Sequence, residues 1–116
     1  MQYTSRCLTG LSLLMAAACG SATLPQSKLI AAESEIKAAE TVGAANNPQA
    51  ALHLKLAREG LDSANALAKD NEEQKATLAL LRSQKDAELA VALTEETAAR
   101  DRAMRAQQRI TELRTQ

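Results

Sequence analysis

Residues 71–114 read NEEQKATLALLRSQKDAELAVALTEETAARDRAMRAQQRITELR, with neither glycine nor proline among them. Alanine, leucine, glutamate, lysine, glutamine and arginine dominate, all strong helix formers, while β-branched residues are few. At ~1.5 Å per residue such a run makes about 65 Å of unbroken helix. Asn71 followed by Gln74 has capping-box spacing, and Glu72 and Glu73 suit the positive end of the helix dipole. The second half carries a 3-4 seam of Leu89, Ala92, Glu96, Ala99, Ala103, Ala106, Ile110 and Leu113. Glu96 interrupts it, so a coiled coil is not sustained along its whole length.

Two shorter helices precede this one. The first is expected from Ser27 to Thr41, with Leu29, Ala32, Ile36 and Ala39 on one stripe and a Glu33–Lys37 pair at i, i+4. Gly43 ends it, because glycine adopts the left-handed conformation without steric cost. Ala44 to Pro48 forms a turn in which Asn47 caps the second helix and Pro48 takes its first position. Leu54, Ala57, Leu61, Ala64 and Ala68 then repeat the stripe, with Leu67 beside it. Gly60 sits inside this helix, and two readings stand open: close approach of a neighbouring helix, or solvent exposure. No segment reads as a strand. The expected fold is all-α, an antiparallel three-helix arrangement in which a helical hairpin is joined by a long, overhanging C-terminal helix.

Composition narrows the function. The 116 residues carry 14 basic and 14 acidic side chains, one His and one aromatic residue, Tyr3. Of the 46% apolar residues, 25 are alanine. A nucleic-acid binder would need a basic surplus, and a site that stacks bases or sugars would need rings. Alanine stripes let helix axes approach closely but bury little area, so the monomer is expected to be marginally stable and to self-associate through the overhang.

The N-terminus reads as an address. Arg6 is the only charge before Lys28, and the apolar run from Leu8 to Ala18 is 11 residues long. A membrane span needs about 20, whereas a short positive region, a short apolar region and small residues before a cleavage point make a secretory signal. Ala16-Ala17-Ala18-Cys19-Gly20 resembles the bacterial lipobox, with Ala16 where Leu is commoner. That resemblance implies cleavage before Cys19, a diacylglycerol thioether on its sulfur and an N-acyl chain on the new amine. Gly20 is not the Asp that retains such proteins at the inner membrane, which favours the outer membrane, periplasmic face. Membrane lipid, held through Cys19, is then a partner. The expected division is a removed signal over 1–18, a lipidated Cys and tether over 19–26, and an alanine-rich helical domain over 27–116. Cys7 leaves with the signal, so no thiol remains for a disulfide or a metal.

Three stretches carry a family resemblance: Ser34-Glu35-Ile36-Lys37-Ala38-Ala39 with the Gly43-Ala44 turn, Ala57-Arg58-Glu59-Gly60-Leu61-Asp62-Ser63-Ala64, and Asp86-Ala87-Glu88-Leu89-Ala90. From Ala32 to about Ala99 the chain resembles the bacterial domain-of-unknown-function family 4398, found as small lipoproteins and as modules attached to peptidoglycan-binding domains. The resemblance implies a helical hairpin with a third helix in a cell-envelope setting; it implies no reaction. No peptidoglycan-binding domain is expected alongside this unit, so peptidoglycan contact is open but has no residue in its favour.

Candidate chemistry is sparse. His53 has no acid closer in sequence than Glu59 and reads as a surface or half-buried helix residue. Glu33, Glu40, Glu59 and Glu88 lack the Glu-x-x-His pattern of a di-metal site. Phosphate loops, zinc spacings and nucleophile elbows are missing, so neither an enzyme, a metal nor a cofactor is expected. From Arg100 onward five arginines stand against Asp101 and Glu112. They complement the helix dipole and pair as Glu96–Arg100 and Asp101–Arg105, or else meet an anionic partner. The leading expectation is a non-enzymatic outer-membrane lipoprotein acting as a periplasmic helical spacer or docking module. Its overhang presents Ala103, Ala106, Ile110 and Leu113 to a protein partner or a second copy. The alternative is an accessory lipoprotein that binds an envelope-assembly or stress-response partner through the first two helices.

Overall fold

The computed structural model describes residues 24–116; Cys19 and the cleavage residues Ala16, Ala17, Ala18 and Gly20 lie outside them. Three helices follow one another, α1 over Gln26–Thr41, α2 over Pro48–Lys69 and α3 over Glu73–Arg114, and no strand occurs among the described residues. Pro25 stands at the N-cap of α1, and Leu24 packs against the nearby core. Gly43, at φ 81°, takes the left-handed turn that stops α1. A single 3-10 turn, Ala44–Asn46, then leads to Asn47.

Asn47 caps α2 as expected: its Oδ1 accepts from the backbone N–H of Gln49 at 3.0 Å and of Ala50 at 3.2 Å. Its Nδ2 also donates across the bundle, to the Leu93 carbonyl at 3.3 Å and to Thr97 Oγ1 at 2.8 Å. One side chain therefore both starts α2 and fastens the turn to α3.

The other turn differs from the sequence expectation. Asn71 does not begin a capping box; it adopts φ 60°, and Glu72 is the N-cap residue of α3. The N–H of Glu72 bonds the Leu67 carbonyl, and that of Asn71 bonds Ala68. These two bonds form a Schellman motif that closes α2, with Asn71 in the left-handed position that glycine or asparagine fills most readily. Lys37 likewise pairs with Glu40, at 3.7 Å, rather than with Glu33.

Helix α3 is the spine. Both α1 and α2 pack along it, and they touch each other far less. The core is mostly alanine: Ala32 and Ala39 of α1, Ala50, Ala57 and Ala64 of α2, and Ala76, Ala87 and Ala90 of α3 are fully buried. Ile36, Leu54 and Leu80 are the larger buried side chains. Gly60 resolves to close approach: a Cβ there would lie 3.1 Å from Ser83 Cβ and 3.3 Å from Ser83 Cα. Ser83 is itself buried, its hydroxyl donating to the Ala57 carbonyl at 2.6 Å.

Candidate docking surface

The inner face of α3 is the row Ala76, Leu80, Ser83, Ala87 and Ala90. At about 100° per residue, the seam expected from the sequence falls on the opposite side of the helix. Leu89 is 41% exposed and Ala92 is also exposed, so the seam does not face the bundle. Traced backward, the same outer face takes in Leu78 and Leu81, both exposed. Helix α3 is thus apolar on two sides. The inner side carries the small residues that let α1 and α2 come close. The outer side carries leucines and alanines that face solvent.

The Asn47 bonds place the end of the bundle level with Thr97. Residues 98–114 continue beyond it as helix, an overhang of about 25 Å. Ala103, Ile110 and Leu113 are exposed there, and Ala106 is half-buried; Leu113, at 72%, is the most exposed large apolar side chain among the described residues. These four residues share the outer stripe, as their spacing implies. Met104, also exposed, lies off it. The structure brings the stripe together as one line but gives it no partner among the described residues.

Polar contacts pin the three helices in register. Arg58 Nη2 donates to Glu40 Oε1 at 2.7 Å, joining α2 to α1. That hydrogen bond is the main reason the Glu40 carboxyl sits below its ordinary pKa; the Arg58 and Lys37 charges add to it against partial desolvation. His53 is half-buried, and its Nδ1 lies 2.9 Å from Asp86 Oδ1 on α3, an acid that sequence proximity could not reveal. Glu40, Glu59 and Glu88 each serve a separate ion pair, Glu40 with Arg58, Glu59 with Lys55 at 3.6 Å and Glu88 with Lys85 at 2.6 Å. Among the described residues no group of three His, Cys, Asp or Glu could hold a metal ion. Glu96 pairs with Arg100 at 2.6 Å as expected, whereas Asp101 and Arg105 form no ion pair among the described residues.

The geometry defines a small all-α module built on one long helix whose outer face is solvent-exposed among the described residues. The family model described as Domain of unknown function (DUF4398) matches residues 27–113. The chain belongs to this family. The matched span takes in all three helices and runs well past Ala99, so the overhang is part of the family unit. No curated protein and no solved structure matches the chain.

Proposed function

We propose that this protein is a non-enzymatic outer-membrane lipoprotein that serves as a periplasmic helical spacer and docking module. Cys19 carries the acyl chains, and two or three of them anchor a protein firmly, at about 0.8 kcal/mol per buried methylene. The observation that carries the docking role is the overhang, a helix that leaves its own bundle and holds Ile110 and Leu113 in solvent. Keeping large apolar side chains exposed in line is costly unless a partner covers them.

Intact-mass measurement of the membrane-extracted chain tests the anchor, with a diacylglyceryl and an acyl group expected on Cys19; an unmodified Cys19 or a retained Met1 defeats it. Replacing Ile110 and Leu113 by Ser should weaken crosslinking in intact envelopes while leaving helix content nearly unchanged. Unaltered crosslinks remove the overhang from the role. A second reading, accessory binding through the first two helices, is favoured by Leu52 and Leu56, which are 56% and 39% exposed one turn apart on α2. Leu52→Ser with Leu56→Ser should then be the pair that abolishes capture.

A further inference from the structure

We infer that the outer face of α3 pairs with the same face of a second copy, antiparallel and related by a two-fold axis between Thr97 and Ala98. This deepens the docking reading by naming the occupant of the surface, and it does not depend on the lipid anchor. The charge pattern carries the inference. Glu88, Glu95, Arg102 and Arg109 recur every seventh residue along one flank of the seam, two acids followed by two bases. In an antiparallel pair such flanks meet each other in reverse order. In the register that sets Leu89 against Ala106 and Glu96 against Ala99 of the second copy, Glu95 faces Arg102 and Glu88 faces Arg109. Symmetry repeats both pairs, so every charge on this flank meets its opposite.

The parallel alternative fails on the same residues. It stacks Glu96 directly on Glu96 of the second copy and sets Arg109 against Arg114, and of the four flank charges only Glu95 meets an opposite charge, Arg100. Side-chain size agrees with the antiparallel register: the large Leu89 meets a small alanine, and Ile110 meets the aliphatic stem of Lys85. Each overhang then lies along the back of the other copy's bundle and covers Leu89, Ile110 and Leu113, the exposed large apolar residues of the seam. The overlap runs for about 45 Å of helix. Glu95, Arg102 and Arg109 form no ion pair among the described residues, so their charges are unspent within the chain.

Sedimentation equilibrium of the processed chain in density-matched detergent tests this by charge exchange. The wild type should dimerise. Glu95→Arg should raise the dissociation constant by about tenfold, because both symmetry-related pairs become repulsive. Adding Arg102→Glu should restore the wild-type value, and circular dichroism should show the same helix content in all three. Rescue by Arg100→Glu instead of Arg102→Glu means a parallel pair and overturns the inference. So does a monomeric wild type, or a Glu95→Arg chain that associates as tightly as the wild type. A monomer that still loses its envelope crosslinks on Ile110→Ser and Leu113→Ser leaves the docking role standing with a different partner.

Discussion

Two residues hold more of this fold than their size suggests. Asn47 divides its amide, the oxygen capping α2 and the nitrogen holding α3. Asn47→Ala removes both functions and should cost about 2 kcal/mol in urea unfolding, while Asn47→Asp keeps the cap and should cost roughly half as much. Equal losses would show that the capping oxygen contributes nothing, and an Asn47→Asp protein as stable as the wild type would show the same of the nitrogen. Gly60 presents the opposite problem. Alanine is worth about 1 kcal/mol more than glycine inside a helix, yet its methyl would meet both the side chain and the backbone of buried Ser83. Overpacking of that kind costs about 1–3 kcal/mol, so Gly60→Ala should lower the unfolding free energy rather than raise it. A stabilised Gly60→Ala protein would mean that the two helices can move apart freely.

At the scale of the elements, the Glu40–Arg58 pair joins two helices that otherwise touch little. Because the fold lowers the Glu40 pKa, the pair's contribution is full at pH above the ordinary value of 4.5 and fades as pH falls through the lowered one. The stability difference between the wild type and Glu40→Gln should therefore be constant near neutrality and shrink on acidification. A difference that grows in acid would contradict the assignment. Helix boundaries were legible in the sequence where local chemistry decides them: Gly43, the Asn47-Pro48 start and the uninterrupted run that makes α3. The choice of face on α3 was not legible. Both sides repeat at spacings of 3 and 4, and the outer side has more leucine. Close packing against Gly60, Ala57 and Ala64 selects the small residues for the inside, and only the tertiary structure reveals that preference. Asn71 misled for a related reason, since asparagine suits both a helix start and the left-handed residue that ends one.

For the whole molecule, the bundle and the overhang separate energetically. Deleting residues 98–116 removes no fully buried side chain. The shortened chain should unfold within about 0.5 kcal/mol of the intact monomer. What it should lose is the dependence of the melting temperature on protein concentration, which the intact chain shows if copies associate. A truncated chain that fails to fold would mean the overhang supports the bundle directly. The same helix serves as the spine of the body and as its projection, with no glycine or proline between them. That continuity makes the protein a lever. Tilting the alanine-packed body by about 10° sweeps the far end of α3 through roughly 10 Å, because a helix of this length pivots as one bar. Whatever grips the tip therefore feels the orientation of the base, without a joint to absorb the motion.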